Sequence, residues 1–356
     1  MNENKFRGRG ANLNPKNRFE RLSVEDFSFD DWSDFEEPEI NNLPTEYFVD
    51  ESKTVIAKND SYDVGFDYSF NPYRGCEHGC IYCYARPTHE YLGFSSGVDF
   101  ETKIMVKPKA AFLLEQEFKK KNYRPDIIIF SGNTDCYQPV EKKLQITREA
   151  LKVCLKYGNP VGVITKNALI QRDVDVLKEM AELGIVSVTI SVTTWDKDLA
   201  RKMEPRTSTP EMRLKTIETL ARNNIPVGVN VAPVIPGLND KEISGILKEA
   251  SDRGAELAGY IMLRLPYSVK ELFIEWIKRE FPERASKVIN GIKSVRNGKL
   301  NSSEFGIRFK GEGELADTVK NLFQISCRKY GLNRRMFNLT TEHFKSDFTE
   351  QLQLFG

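Results

Sequence analysis

The sequence lacks the features of several large classes of protein. No apolar run approaches the roughly 18–20 residues that a membrane-spanning helix needs. The amino terminus, MNENKFRGRG, has no apolar core like that of a signal peptide. A GxGxxG loop, a P-loop and a nucleophile elbow are also missing, so neither NAD nor nucleoside triphosphate chemistry is indicated. We therefore expect a cytoplasmic protein that does not enter the membrane.

An excess of charge of one sign is missing too. Lys and Arg together number 52 and Asp and Glu 51, so the net charge is +1. Binding to nucleic acid or to an anionic membrane would therefore need a local patch. The chain of 356 residues is long enough for a barrel of about 200–250 residues with additions. Six cysteines in a chain of this length do not indicate a disulfide scaffold.

The first 45 residues are polar. Residues 1–22 are rich in Lys and Arg, whereas residues 25–39 contain eight acidic residues, four interleaved aromatic residues and no basic residue. Like charges repel, and little apolar surface is present to offset the entropy of ordering. We predict a largely disordered arm over residues 1–45, followed by a lead-in over 46–65. The alternative is an arm folded over the body, which docks a partner or substrate.

From residue 66 onward, short apolar runs alternate with amphipathic helical stretches. Near-continuous apolar runs are typical of parallel strands that are covered on both faces or closed into a barrel. The runs that predict strands are Phe66–Phe70, Asp126–Ser131, Pro160–Thr165, Ile185–Thr193, Pro226–Ala232 and Ala258–Leu265.

Six strand–helix units indicate an α/β fold. They are fewer than the eight of a closed TIM barrel, so we predict an open, partial (β/α)6 barrel over residues 66–280. A doubly wound sheet is the alternative. Residues 281–356 form a C-terminal extension, with a short strand predicted at Phe305–Phe309 and a last helix at Asp317–Tyr330.

Three cysteines crowd into one segment with the spacing C-x3-C-x2-C: Cys76, Cys80 and Cys83. Thiolates are soft ligands that suit iron–sulfur clusters and zinc. Three of them in one tight loop match three irons of a cubane and leave the fourth iron open. Gly75 and Gly79 allow the backbone to bend round a bulky group. A zinc site usually needs four protein ligands, often in C-x2-C pairs, and no second pair is present.

This segment resembles the cluster-binding motif of the radical S-adenosylmethionine (SAM) superfamily, including the aromatic Tyr82 just before the third cysteine. The resemblance covers about residues 66–265. It implies a [4Fe–4S] cluster on Cys76, Cys80 and Cys83 whose open iron is chelated by SAM. It also implies reductive cleavage of SAM to methionine and a 5′-deoxyadenosyl radical, which abstracts hydrogen from a substrate. An electron donor such as flavodoxin or ferredoxin is then needed.

The resemblance implies further SAM contacts at the predicted strand ends. Radical SAM proteins place a small polar turn after the second strand against the SAM amino group, and later strand ends near the ribose, the carboxylate and the adenine. The matching candidates are Gly132, Asn133, Thr134, Lys166, Ser191, Thr193, Arg206, Val234 and Leu263.

Within the superfamily the sequence is most similar to proteins related to spore photolyase, whose matching tyrosines relay the radical. Tyr82 and Tyr84 are therefore catalytic candidates. The photolyase thiol that donates hydrogen would fall near Gly132 or Asn133, where no cysteine is present. Cys136 is the nearby candidate thiol. The likeness makes nucleic acid a candidate substrate, for repair or modification. The alternatives are an iron–sulfur electron carrier or redox sensor and a zinc-stabilised binding module.

Overall fold

A seven-stranded sheet organises the chain in the computed structural model, which describes residues 8–19 and 43–345. A three-stranded sheet lies beside it, in the order β1-β5-β4. The strands are β1 Glu46–Val49, β2 Ile56–Lys58, β3 Tyr68–Phe70, β4 Tyr73–Arg74, β5 Lys103–Val106, β6 Ile128–Phe130, β7 Val161–Thr165, β8 Val186–Ser191, β9 Val227–Val234 and β10 Leu257–Met262.

The order of the large sheet is β10-β9-β8-β7-β6-β3-β2. Every neighbouring pair from β3 to β10 is parallel, and β2 pairs with β3 in the antiparallel sense. Each new parallel strand is added on the same side of the preceding one. A doubly wound sheet reverses this order at its middle, so that alternative is wrong for this protein.

The six parallel strands coincide with the six apolar runs that predicted them. In β9, the side chains are buried at every position except Asn230. Such a strand is covered on both faces, which explains why its sequence shows no alternation of polar and apolar residues. The α/β class and the parallel sheet are thereby confirmed.

Helices connect the strands and cover the sheet. In the helix between β9 and β10, the predicted buried stripe is formed by Ile243, Ile246, Leu247 and Ala250, and Gly254 follows with φ +93°. The helices are α1 Val98–Thr102, α2 Ala110–Phe118, α3 Glu141–Leu144, α4 Ile146–Tyr157, α5 Val174–Glu182, α6 Lys197–Met203, α7 Pro210–Arg222, α8 Ile243–Asp252, α9 Val269–Glu280, α10 Pro282–Ser294 and α11 Glu314–Tyr330. Within residues 8–19 and 43–345, none of these helices is long and apolar enough to cross a membrane.

The C-terminal extension packs into the body. Helix α11 contributes Val319, Phe323 and Cys327 to the main hydrophobic core, where Cys154 also lies. The predicted strand at Phe305–Phe309 is wrong, because these residues form a turn. No strand among the described residues pairs with them; a backbone bond from Met262 N–H to the Phe309 carbonyl oxygen (2.8 Å) ties the turn to the end of β10.

Residues 8–19, which fall within the predicted disordered arm, lie against the body. Ala11 is fully buried. The Glu101 carboxylate accepts the backbone N–H groups of Gly10 (3.0 Å) and Ala11 (2.9 Å). We call residues 8–19 the strap. In the structure the strap is folded over the body, which is the alternative to a disordered arm. Residues 1–7 and 20–42, with the acidic-aromatic stretch, lie outside the described residues.

Candidate functional site

The cysteine loop follows β3 and β4 and lies where the parallel strands end. Cys76, Cys80 and Cys83 line one cavity of about 210 Å³. Gly75 and Gly79 have φ values of +77° and +66°, in the left-handed region that favours glycine. A Cβ on Gly75 would lie 3.0 Å from the carbonyl oxygens of Phe100 and Lys103. The loop therefore needs both the conformation and the small size of glycine, as the sequence predicts.

A buried arginine, Arg86, holds the backbone of the cysteine loop in place. The Arg86 guanidinium donates to the carbonyl oxygens of Cys80 (2.9 Å) and Gly79 (3.2 Å) and pairs with the Glu101 carboxylate. The side chains of Arg86 and Glu101 are both fully buried. A buried ion pair is favourable only when further hydrogen bonds satisfy it. The strap supplies them, because Glu101 also accepts its backbone N–H groups.

Lys166 brings a cation to the thiols. It lines the cavity, and its Nζ lies 6.0 Å from the centre of the Tyr82 ring. Burial lowers the pKa of Lys166, and the charges of Cys80 and Cys83 raise it. Burial also raises the pKa of all three loop cysteines. A nearby ammonium therefore offsets part of the cost of forming thiolates in this cavity.

Asp135 joins two strand ends beside the thiols. It accepts from the Thr165 hydroxyl (2.7 Å) and from the Lys166 backbone N–H (2.8 Å). The Asp135 carboxylate also lies near His78, whose Nδ1 is 3.5 Å away. Burial lowers the pKa of His78 to about 4, so the ring is neutral near pH 7. Its Nε2 meets the Asn167 amide at 3.1 Å, which makes His78 a packing residue of the loop.

Beneath the cavity, the Tyr82 hydroxyl donates to the buried Glu204 carboxylate. Thr193 donates to the same carboxylate at 2.6 Å, and Arg213 forms an ion pair with it. Burial raises the pKa of Glu204, and Arg213 opposes that rise. The Tyr82 ring lines the cavity, whereas its hydroxyl is anchored below. The Thr193 hydroxyl is engaged in this network.

The structure brings many of the predicted site residues together. In addition to the three cysteines, the cavity is lined by Tyr82, Tyr84, Asn133, Thr134, Lys166, Ser191 and Leu263. Gly132 lies at the rim, where its carbonyl oxygen accepts the Tyr84 hydroxyl at 2.7 Å.

Besides Thr193, whose buried hydroxyl is bonded to Glu204 beneath the cavity, three predicted site residues lie away from the cavity. Cys136 is fully buried in the main hydrophobic core, because the chain turns inward after Ser131, whose φ is +77°. Val234 is buried in the same core. Arg206 forms an ion pair with Glu77 at 3.0 Å. The positions of these residues do not support a donor thiol at 136, a carboxylate clamp at 206 or a cofactor contact at 234.

Other cavity residues were missed by the sequence analysis. Asn230 lies in the middle of β9, is the one position of that strand that is not buried, and lines the cavity. A polar residue inside an otherwise apolar strand could have indicated it. Phe309 lines the same cavity from the C-terminal extension. No local sequence signal places a residue so distant in the chain against the cysteine loop.

The parallel sheet and the three thiols at its strand ends are features of a class of proteins that hold an iron–sulfur cluster. The description "Radical SAM superfamily" fits residues 70–250, half of the chain, and the protein belongs to this superfamily. Membership implies a [4Fe–4S] cluster and SAM as cofactors, and cleavage of SAM by means of the cluster. The donor set fits this cofactor, because three soft thiols of one loop face one cavity with a cation beside them.

Its relatives include proteins without a known activity. An uncharacterised protein of Mycobacterium tuberculosis (strain ATCC 25618 / H37Rv) is 35% identical over 224 residues, which cover 62% of this chain and 66% of the relative. The match thus spans slightly less than two thirds of that relative. An uncharacterised protein of Methanocaldococcus jannaschii is 29% identical over 178 residues, covering 50% and 64% of the two chains.

Solved structures of spore photoproduct lyase have a similar fold. A point mutant of that enzyme matches with a TM-score of 0.58 and 14% identity, covering 83% of this chain and 86% of the lyase. The lyase complexed with dinucleoside spore photoproduct matches with a TM-score of 0.56 and 15% identity, over the same shares of each chain. At such identities the similarity concerns the fold alone.

Proposed function

We propose that the large sheet curves into a partial (β/α)6 barrel whose cavity holds the cluster and SAM side by side. Cys76, Cys80 and Cys83 would ligate three irons, and the amino and carboxylate groups of SAM would complete the fourth. Lys166 is the cation that pairs with the SAM carboxylate. Its position beside Cys80 and Cys83 supports this assignment, since a group on the open iron lies next to the thiolates.

The chain's residues position the cofactors and exclude water. Asn133, Thr134 and Ser191 offer polar groups to the SAM amino group and ribose, and Leu263 offers an apolar surface to the adenine. When bound, the reduced cluster supplies the electron that splits SAM into methionine and a 5′-deoxyadenosyl radical, which abstracts hydrogen from substrate. The buried loop shields that chemistry from solvent.

The substrate that we propose is nucleic acid. The fold supports it, since the structurally similar spore photoproduct lyase has been solved with a dinucleoside photoproduct. The position of the photolyase thiol argues for a different reaction. Gly132 or Asn133 stands there and neither is a cysteine; at Gly132 an added Cβ would lie 2.6 Å from the Ser69 Cβ. We therefore infer modification or repair that does not use a cysteine at this position.

An external reductant must deliver the electron, and we propose flavodoxin or ferredoxin in a reducing cytoplasm. Thiolate ligands and a reduced iron–sulfur cluster both require such a compartment.

The observation that carries the proposal is the convergence of three loop thiols and Lys166 on one cavity. The test uses anaerobically reconstituted protein, reduced and mixed with SAM, with iron and 5′-deoxyadenosine measured. We expect about four irons per chain, as in a cubane with three thiolate ligands, and 5′-deoxyadenosine. Replacement of Cys76, Cys80 and Cys83 by Ala should abolish both.

Cys327→Ala is the matched control, because Cys327 is a buried cysteine remote from the loop in sequence and lies in the main core. It should keep iron and product. A cluster that never cleaves SAM would indicate an electron carrier or redox sensor. Zinc in place of iron would indicate a zinc-stabilised binding module.

A further inference from the structure

A second cation faces the cavity, and no described residue forms a hydrogen bond or ion pair with it. Arg264 follows β10 and lines the cavity with the three cysteines. Its Nε is buried and has no hydrogen-bond partner. Burial and the like charge of Arg308 both lower the pKa of Arg264. A buried guanidinium without an anion is unfavourable, so an incoming anion at this point would be stabilised.

Arg264 and Lys166 have different surroundings. The charges of Cys80 and Cys83 raise the pKa of Lys166. The pKa of Arg264 is lowered by Arg308 and raised by Tyr84 and Asp63. SAM carries one carboxylate, which the proposed function assigns to Lys166. Arg264 is then available to bind an anionic group of the substrate.

An aromatic column leads from Arg264 to the surface. The Phe309 ring lies between the guanidinium groups of Arg264 (4.8 Å) and Arg308 (4.7 Å). Arg308 also lies 4.4 Å from the Phe305 ring, which contacts the Tyr62 ring at 4.7 Å. Tyr62 is 80% exposed and Phe305 42% exposed. Two aromatic rings are thus presented to solvent at the end of a column that begins in the cavity.

The column is held in place by its own bonds. Asp63 neutralises Arg308 through an ion pair that includes a 2.8 Å bond to Nε. The buried Arg296 donates to the Ile307 carbonyl oxygen at 3.0 Å. Because Arg308 is already paired, Arg264 supplies the column's one uncompensated charge.

We propose that this column binds a single-stranded nucleic acid, with one phosphate on Arg264 and a neighbouring base on the Tyr62–Phe305 pair. The inference rests on the proposed function, whose substrate site it extends to the surface. A guanidinium binds a phosphate through two parallel hydrogen bonds. Aromatic rings stack on bases of any sequence, which is the usual way of binding single strands. One phosphate and one stacked base suit a flexible strand with an extruded nucleotide.

The test measures binding of a fluorescein-labelled single-stranded DNA of about ten nucleotides, within the usual site size, by fluorescence anisotropy of the cluster-loaded full chain. We expect Arg264→Gln to weaken binding about 10-fold, because a charge-assisted bond is lost. Tyr62→Ala should weaken binding about 5-fold or more, and an abasic strand should lose the same contribution. Arg222→Gln and Tyr91→Ala, at an exposed arginine of α7 and an exposed tyrosine, are controls that should bind normally.

The outcomes separate this inference from the proposed function. Tyr62→Ala, at an exposed residue that does not line the cavity, should still form 5′-deoxyadenosine from SAM without substrate, and normal SAM cleavage with weakened DNA binding in this variant supports the inference. Absence of DNA binding by the unaltered protein, or normal binding by both column variants, overturns it. Loss of SAM binding with normal DNA binding in Arg264→Gln also overturns it and makes Arg264 a cofactor ligand. Failure of SAM cleavage in the unaltered protein counts against the proposed function alone.

Discussion

At the scale of the residue, single contacts decide what the cavity can do. Gly132 is the clearest case, because the Ser69 side chain leaves no room for a side chain at this position. The sequence shows that no cysteine is present there, but only the structure shows that a cysteine would not fit. A side chain at position 132 is therefore excluded for a steric reason.

Gly132→Cys tests this constraint. We expect destabilisation by about 1–3 kcal/mol through overpacking against Ser69, measured by chemical denaturation. Asn133→Cys is the matched control, since it changes the adjacent cavity residue and should be better tolerated. Combining Gly132→Cys with Ser69→Gly should recover much of the stability, and no recovery would contradict the steric explanation.

His89 is buried between aromatic rings, and in the part of the chain that the structure describes neither of its ring nitrogens has a hydrogen-bond partner. Burial lowers its pKa to about 4 from the ordinary histidine value of 6.5. The unfolded chain therefore binds a proton on His89 between these values while the folded chain does not. The contribution of neutral His89 to the free energy of unfolding is present above pH 6.5 and is lost as the pH falls toward 4.

His89→Phe should flatten this dependence. The unaltered protein should lose on the order of 2–3 kcal/mol of unfolding free energy from His89 between pH 7 and pH 4, and the variant should lose correspondingly less. The measurement is denaturant unfolding across that range. His343→Phe, at an exposed histidine, should behave like the unaltered protein; an equal effect of both substitutions would count against the role of burial.

At the scale of the element, the strap and the cysteine loop act as one unit. Residues 8–19 contribute few apolar side chains, and their principal bonds go to the Glu101 carboxylate that also pairs with Arg86. Arg86 in turn holds the Cys80 carbonyl oxygen. The strap thus supports the metal-ligating loop through two successive side chains.

Deletion of residues 1–19 should loosen the loop. With the strap removed, water reaches the Arg86–Glu101 pair, and we expect amide hydrogen exchange over residues 76–86 to increase about 10-fold, as for the loss of a buried hydrogen bond. Retention of iron during anaerobic gel filtration should fall in parallel. Deletion of residues 1–7 leaves the strap intact and is the control; unchanged exchange after the longer deletion would refute the coupling.

At the scale of the whole molecule, periodicity predicted the sheet and cysteine spacing predicted the loop, and five of the nine strand-end residues that the family resemblance implied line the cavity. Apolar runs of Val and Ile indicate directly that a strand is buried on both faces of its sheet. Contacts between segments distant in the chain have no such signal. The strap on Glu101, Phe309 in the cavity and α11 in the main core all depend on tertiary packing. The inward course of Cys136 depends on one backbone turn at Ser131.

Phe309, the part of the cavity wall farthest along the chain, has a consequence for how the protein is made. The ribosome releases Cys76, Cys80 and Cys83 more than 200 residues before it reaches Phe309. At about 5–20 residues per second, the nascent chain would present bare thiols for roughly 10–45 s before the wall can form. That interval gives iron-delivery factors access to the ligands, and it is also when oxidants can reach them.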